Sequence, residues 1–306
     1  MESARIIRIP VERAGTAEQA LRAFGVSSSL CTALRKRLGL VSLESEGGPI
    51  AIRLTQRLER GQTIRIALPP DCPQPMPVYD LALDIAYQDE DLAIVVKPPH
   101  LASIAVHGHY GRALPNALAA VWGDFVYRPV HRLDRDTSGL IVIARNRFAH
   151  GALCASGLQR EYLALCRGKT DERGIVEAPI GAHPDDPYLR AVRADGAPAT
   201  TYYRRVAYRD GVSLVRLRLG SGRTHQIRLH MAHVGHPLCC DADYNPDPAP
   251  PKLPSGAVLD RQALHSARVA LIHPVTKARM QRTHIPTFAT DWLGGVLPRD
   301  LWEQEI

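Results

Sequence analysis

The sequence contains neither a C-x-x-C pair nor an apolar run long enough to span a membrane. Its six cysteines include the neighbours Cys239 and Cys240, a spacing that suits a disulfide framework poorly. The first ten residues, MESARIIRIP, lack the apolar segment of a signal peptide. No internal repeat or low-complexity tract is present. These absences argue against a zinc ribbon, a redox motif and a membrane partner, so we expect a cytoplasmic protein with reduced thiols.

The excess positive charge lies near the N-terminus. The formal net charge is +7, and residues 1–70 hold 11 of the 38 basic residues but only 6 of the 31 acidic ones. This segment therefore carries a net charge of +5, and the remainder is nearly balanced. A basic module in front of a neutral body is typical of a nucleic-acid partner, although a solvated basic face would give the same balance.

A proline-rich segment divides the chain. With 306 residues, the chain is about twice as long as a typical domain. The run PPDCPQPMP at 69–77 has no apolar periodicity, and proline lacks a backbone donor, so it predicts a linker. We expect a small basic α+β domain over residues 1–70, a linker over 71–80 and a catalytic domain over 81–306.

Two helices are predicted in the first domain. Thr16 can cap a helix that ends at Phe24, and Ser27 can cap a second helix that runs to Leu38. The second helix carries three consecutive basic residues, for which we expect a role in RNA binding: Arg35, Lys36 and Arg37.

Strands outnumber helices in the second domain and do not alternate strictly with them. This pattern predicts an α+β fold with a mixed, largely antiparallel sheet. The predicted strands are a hairpin over 84–99 and segments at 140–145, 161–167, 200–208, 212–219 and 264–272. The predicted helices are 115–122, 147–158 and 224–234.

Two carboxylates lie among arginines just before an apolar strand. The segment 131–139 reads HRLDRDTSG, with Asp134 and Asp136 beside Arg132 and Arg135. A carboxylate can act as a nucleophile, and neighbouring guanidinium groups keep it charged. On charge alone, a structural turn stabilised by ion pairs is the favoured interpretation.

The complete string changes that interpretation. HRLDRDTSG matches every fixed position of H-R-L-D-x-x-T-S-G and so resembles the signature of the RluA-type pseudouridine synthases. The segments REYLALCRG at 160–168 and SGRTHQIRLHMAHVGHP at 221–237 are similar to two further motifs of the family, in the same order. VVKPPHLASIAVH at 95–107 resembles the motif that precedes them. The resemblance covers about 81–275.

This resemblance implies an isomerase that needs no cofactor and no metal. Asp134 is expected to attack the target uridine, at the ribose or at the base, so that the uracil can turn and rejoin the ribose through carbon. Tyr162 is expected to lie against the uracil, and Arg223 to pair with Asp134. Arg132 is the candidate for occupying the space that the extruded base leaves in the RNA.

The same motif region contains three histidines with H-x-x-H-x-x-H spacing: His230, His233 and His236. Metal binding is conceivable on a helix, but Gly235 and Pro237 interrupt it before the third histidine. We therefore expect no metal. The run that follows departs from the family pattern, since Cys240 and Asn245 stand where glycines are usual.

The first 70 residues weakly resemble the RNA-binding module of ribosomal small-subunit protein four. Together, these features predict a monomeric RNA pseudouridine synthase that acts on ribosomal large-subunit RNA or transfer RNA. The alternative is a non-catalytic RNA-binding or ribosome-assembly factor on the same fold. A carboxylate-dependent hydrolase would need a second carboxylate or a metal beside Asp134, and Asp136 is expected to point elsewhere.

Overall fold

A capped pair of helices and a small sheet form the N-terminal part of the protein. The computed structural model describes residues 5–306 except 38, 74, 106–109, 299 and 305, so the Val-His end of the motif at 95–107 lies outside the described residues. The elements of this part are β1 (Ile6–Pro10), β2 (Gly15–Thr16), α1 (Ala17–Phe24), α2 (Ser28–Arg35), β3 (Val41–Leu43), β4 (Ile50–Ala51), β5 (Arg57–Leu58) and β6 (Thr63–Ala67). The described sheet has the order β1-β6-β3-β4, and β2 pairs with β5.

Both predicted helix caps are present. The Thr16 hydroxyl accepts a hydrogen bond from the backbone N–H of Gln19, whose side chain accepts one from the N–H of Thr16. The Ser27 hydroxyl caps α2 by accepting a hydrogen bond from the backbone N–H of Leu30. The predicted end of α2 at residue 38 is wrong, because the helix ends at Arg35. The N–H of Arg37 bonds to the carbonyl of Leu34, which tightens the last turn.

The second part is built around one large sheet. Its elements are β7 (Asp84–Gln88), β8 (Leu92–Lys97), α3 (Leu114–Trp122), β9 (Ser138–Ala144), α4 (Arg147–Ala155), β10 (Gln159–Arg167), β11 (Arg173–Glu177), β12 (Ile180–Ala182), β13 (Arg190–Val192), β14 (Thr200–Arg209), β15 (Val212–Leu219), α5 (Gln226–His233), β16 (Leu264–Ile272), β17 (Arg279–Thr283) and α6 (Thr287–Trp292).

Within the described residues, this sheet has nine strands in the order β11-β14-β15-β10-β16-β9-β8-β7, and β17 also pairs with β16. The pairing of β16 with β9 is parallel, and the other pairings in the sheet are antiparallel. The predicted mixed, largely antiparallel sheet is therefore confirmed. Because β10, β16 and β9 are neighbours at its centre, the turn before β9 lies close to side chains on β10.

Alternate residues of β10 pack into two different cores. Tyr162 and Cys166 lie in a core with α3 and α5, whereas Leu163 and Leu165 lie in a core with α6 on the other face. A period of two along a strand produces this division. The active-site tyrosine candidate thus lies on the face that α5 covers. No described helix is both long enough and apolar enough to cross a bilayer.

The N-terminal part packs on the second part of the protein through α4. Phe148, which is fully buried, and Ala152 belong to the N-terminal core, while Ala149 and Leu153 of the same helix face the large sheet. Arg5 adds an ion pair with the buried carboxylate of Asp91, with 2.7 Å between Nη2 and Oδ2. One side of α4 therefore packs in the N-terminal core, and the other side packs against the large sheet.

Candidate active site

The turn before β9 is held by hydrogen bonds on both sides of Asp134. The Ser103 hydroxyl donates to the carbonyl of Leu133 at 2.6 Å and accepts from its N–H at 3.0 Å. The Nζ atom of Lys97 donates to the carbonyl of Arg135 at 2.8 Å. Because its two neighbours are anchored in this way, the backbone of Asp134 has a defined position.

Lys97 is completely buried beneath this turn. Its Nζ atom also donates to the carbonyls of Pro98 and Leu101, at 2.9 and 2.8 Å. Burial lowers the pKa of Lys97 to about 7. In the sequence, this lysine was noted only as part of a motif. In the structure, it anchors the turn that carries Asp134.

A cavity that is open to solvent lies above the turn. Its lining combines the predicted residues of three separate motifs, the last of which includes α5. The lining residues are Arg132, Leu133, Asp134, Thr137, Arg160, Tyr162, Leu219, Gly222, Arg223, His225, Gln226, Ile227, Arg228 and Leu264.

The structure gives the ion pair with Asp134 to Arg228, not to the predicted Arg223. Nη1 of Arg228 lies 3.9 Å from Oδ2 of Asp134. Arg223 lines the same cavity, but its Nε donates to the carbonyl of Pro198 at 3.2 Å. The predicted catalytic residues are thus brought together, with a different arginine beside the carboxylate.

Arg228 is a buried guanidinium fixed by two further carboxylates. Its Nε and Nη2 atoms donate to Asp241 at 2.7 and 2.6 Å, and Nη2 also lies 2.6 Å from Asp243. Burial opposes the charge on Arg228, but the bonds and charges of these aspartates outweigh it and raise its pKa. A rigid, permanently charged guanidinium therefore faces Asp134.

Tyr162 lies at the inner wall of the cavity and is only 4% exposed. Burial raises the pKa of its hydroxyl, and the negative charge of Asp134 acts in the same direction. The phenol is therefore protonated at neutral pH. Its ring belongs to the core below, so it offers a fixed apolar surface to a group that enters the cavity.

Asp136 points away from this cavity, as the sequence predicted. Its carboxylate accepts two hydrogen bonds from Arg135, both at 2.9 Å, and lies 3.0 Å from Nδ1 of His100. Arg135 is thus engaged with Asp136 and is not the group that positions Asp134. Arg132 lines the cavity with an exposed side chain.

His225 lies at the turn into α5 and was not singled out by sequence reasoning. Its φ of 56° is in the left-handed region, which is uncommon for a residue other than glycine. Its Nδ1 atom is 2.8 Å from the hydroxyl of Tyr244. The side chain of Gln226 accepts from the N–H of Arg223 and so closes the same turn.

The histidine series does not gather its ring nitrogens at one point. His230 is buried and uses both nitrogens, with the hydroxyl of Thr201 and the carbonyl of Ala178, each at 2.9 Å. His233 is exposed, and Nδ1 of His236 is 3.0 Å from the carbonyl of Arg167.

A different trio, Asp89, Asp91 and His273, brings potential metal-ligand atoms within 4.8 Å of one another. Sequence reasoning did not find it. Asp89 accepts from the hydroxyl of Tyr87 and lies 2.9 Å from Nε2 of His273, and Asp91 pairs with Arg5. These contacts already use the side-chain oxygens, and they connect β1, the β7–β8 turn and the segment after β16.

Cys240 explains one departure from the family pattern. Its φ of 60° is a left-handed conformation that glycine adopts without cost. Cysteine thus adopts here a conformation that favours glycine, the residue that the family pattern has at this position. Asn245 is buried, and its side chain donates to the carbonyl of Leu238 at 2.7 Å.

The basic residues of the first domain do not line the cavity. Arg35 forms an ion pair with Glu18 at 2.6 Å, and Lys36 and Arg37 are exposed beyond the end of α2. They stay a predicted second contact with RNA.

Comparison with known proteins supports the interpretation of these motifs. The family profile described as "RNA pseudouridylate synthase" matches residues 91–233. The Bacillus subtilis protein described as "Uncharacterized RNA pseudouridine synthase YjbO" is 34% identical over 272 residues, which cover 86% of this chain and 92% of the relative. "Ribosomal large subunit pseudouridine synthase D" of Escherichia coli is 40% identical over 216 residues, which cover 66% of each chain.

The solved structures give the same fold. Human RNA Pseudouridylate Synthase Domain Containing 1 superposes with a TM-score of 0.59 at 23% identity, and the match covers 74% of this chain and 94% of the human one. Human RNA Pseudouridylate Synthase Domain Containing 4 gives 0.54 at 22% identity. The predicted enzyme class, an isomerase that forms pseudouridine in RNA, is confirmed by the sequence relatives. The chain belongs to the RNA pseudouridylate synthase family.

Proposed function

We propose that this enzyme converts uridine to pseudouridine in ribosomal large-subunit RNA, with Asp134 as the nucleophile. The observation that carries the proposal is the convergence of Asp134, Tyr162 and Arg228 on one cavity from three separate sequence motifs. The choice of ribosomal RNA follows the function printed for the Escherichia coli relative, synthase D.

In this mechanism, Asp134 attacks the target uridine after the base has left the RNA stack. Arg228 holds the carboxylate in position, and Tyr162 supports the uracil while the glycosidic carbon–nitrogen bond breaks. The carbon–carbon bond to the ribose then forms, and the bond to Asp134 breaks. The carbon that becomes bonded loses a proton, and the freed ring nitrogen gains one. Because the raised pKa keeps the Tyr162 hydroxyl protonated, solvent in the open cavity carries this transfer. Arg223 and Arg132 lie at the cavity wall, where they contact the RNA, and Arg132 occupies the space that the base vacated.

We further propose that residues 1–70 form an RNA-binding module, followed by a linker over 71–80 and the catalytic domain over 81–306. A monomer in the cytoplasm suffices for this role, because one chain supplies every residue named at the cavity. The exposed Lys36 and Arg37 would contact phosphates, which set affinity and register rather than sequence choice.

A pseudouridine map of total cellular RNA tests the choice of substrate. We expect specific sites in large-subunit RNA to disappear from a strain that lacks the gene and to return when the wild-type gene is restored. Sites that respond only in transfer RNA would replace the proposed substrate. Identical maps in the two strains would instead favour the non-catalytic RNA-binding alternative.

The Lys36→Gln/Arg37→Gln double variant tests the N-terminal contact. We expect weaker RNA binding, and a slope of log K against log salt that is smaller by about 1.4–1.8, because two phosphate contacts are lost. Turnover at saturating RNA should be unchanged. Point variants are preferable to truncation, since deletion of the module would expose Phe148 and Ala152.

The matched control is Arg173→Gln/Arg279→Gln, which removes two exposed charges from the catalytic domain. We expect it to change the salt slope much less. Equal slopes for the two double variants would contradict a specific phosphate contact at the end of α2.

A further inference from the structure

Arg160 lies next to Tyr162 on the cavity side of β10. The two residues are two positions apart on one strand, so their side chains project from the same face of the sheet. The side chain of Tyr162 packs in the buried core, whereas that of Arg160 is partly exposed and lines the cavity. A positive charge thus stands directly beside the proposed uracil-supporting ring.

The guanidinium of Arg160 has no protein partner within the part of the chain that the structure describes. Its Nε atom is shielded from solvent and makes no hydrogen bond there. The other well-shielded arginine at the cavity, Arg228, binds Asp241 and Asp243. A shielded donor without an acceptor is costly and needs an explanation, such as a ligand that supplies the acceptor.

The backbone at Gly222 leaves space for this guanidinium. A Cβ atom on Gly222 would lie 3.2 Å from Nη2 and 3.4 Å from Nη1 of Arg160. The side chain is thus packed against the turn before α5. The charge of Arg160 also reaches its buried neighbour His131, whose pKa is lowered to about 3 by burial first and by Arg160 second.

The charge balance of the cavity favours an anion. Asp134 is the one carboxylate among its described lining residues, against the four arginines 132, 160, 223 and 228. The charge of Arg228 is offset by Asp241 and Asp243 in addition to Asp134. The four arginines at the cavity therefore carry more positive charge than Asp134, Asp241 and Asp243 together neutralise.

We propose that Arg160 binds a phosphate that flanks the target uridine and so positions the extruded nucleotide over Asp134. This inference rests on the proposed function. Uracil is neutral, and the anion that must accompany an extruded uridine is its own phosphodiester. The guanidinium fork of arginine matches two phosphate oxygens, which fixes orientation as well as affinity. Arg160 is thus a binding and positioning residue, separate from the nucleophile.

A double-mutant cycle between Arg160→Gln and the RNA backbone tests this contact. The probes are synthetic RNA fragments with a uridine that the wild-type enzyme converts, made with a neutral methylphosphonate on its 5′ or its 3′ side. We expect Arg160→Gln to lower kcat/KM on ordinary RNA by about 10- to 100-fold, the range for a lost charged hydrogen bond. One of the two methylphosphonates should lower the wild-type value similarly, yet barely affect Arg160→Gln.

Two further variants keep the result specific. Arg160→Lys retains the charge and should recover part of the loss, and the exposed Arg173→Gln should stay as sensitive to the methylphosphonate as the wild type. Independent, multiplicative losses from Arg160→Gln and from each methylphosphonate would overturn the proposal, as would a loss explained by a lower Tm. Failure of the proposed function is distinguishable, because the wild-type enzyme would then convert no uridine in ordinary RNA.

Discussion

Replacement of Asp134 by asparagine is expected to abolish pseudouridine formation and to leave RNA binding intact. Asparagine keeps the size of the side chain but cannot act as an anionic nucleophile. We expect the single-turnover rate to fall by at least about 10⁴-fold, as is found for nucleophiles that act within a catalytic unit. The measurement is pseudouridine formation in a transcribed RNA fragment, beside the Kd for the same fragment.

The fold should tolerate this change. Arg228 would lose the most distant of its three carboxylate partners, at 3.9 Å, and keep Asp241 and Asp243, each at 2.6 Å. Its charge would therefore stay compensated, and we expect little change in Tm. Joint loss of turnover and RNA binding would instead mean that Asp134 has a structural role.

Asp136→Asn is the matched control. It removes a carboxylate two residues away whose partners are Arg135 and His100, outside the cavity. We expect this variant to keep most of its turnover. If the two substitutions lowered the rate equally, the assignment of the nucleophile to Asp134 would be contradicted.

The features predicted well from sequence are those with local causes. Thr16 and Ser27 cap helices because each is followed three residues later by a backbone N–H within reach of its hydroxyl. The apolar run of β9 forms a strand that is buried along its whole length. Such patterns involve neighbours in the chain, so the sequence itself contains the necessary information.

The choice between Arg223 and Arg228 has no such local cause. Both arginines lie in one motif, five residues apart, and either could approach a carboxylate. The left-handed backbone at His225 turns the chain into α5 between them. Arg228 is then fixed by Asp241 and Asp243, more than ten residues further along. The partner of Asp134 therefore depends on a turn conformation and on tertiary contacts that no pattern in the motif indicates.

The packing of the N-terminal part is likewise a tertiary property. A proline-rich linker predicts a tethered module, yet Phe148 of α4, which lies beyond the predicted linker in sequence, completes the N-terminal core. The sequence of α4 shows which residues are apolar, but it does not indicate which of them pack in the N-terminal core and which pack against the large sheet. An apolar contact thus attaches the N-terminal part, with the basic residues at the end of α2, to the large sheet.

Substitution of Arg228 by glutamine is expected to impair both stability and catalysis. Asp241 is fully buried and would lose the guanidinium that compensates its charge. Removing one partner of a buried ion pair costs about 3–5 kcal/mol in free energy of unfolding. Asp134 would also lose its ion pair, so the single-turnover rate should fall by about 10²-fold or more, the scale of a lost charge-assisted contact.

Arg223→Gln separates the two arginines. Arg223 makes an exposed hydrogen bond to the carbonyl of Pro198, so its loss should leave the free energy of unfolding nearly unchanged. Urea unfolding measures stability for each variant, and single-turnover rates under conditions in which both are folded measure the chemical step. If Arg223→Gln slowed that step as much as Arg228→Gln does, Arg223 would be the residue that orients Asp134 during the reaction, as the sequence motif predicted. A much larger loss with Arg228→Gln would mean that the buried arginine fixed by Asp241 and Asp243 performs this role.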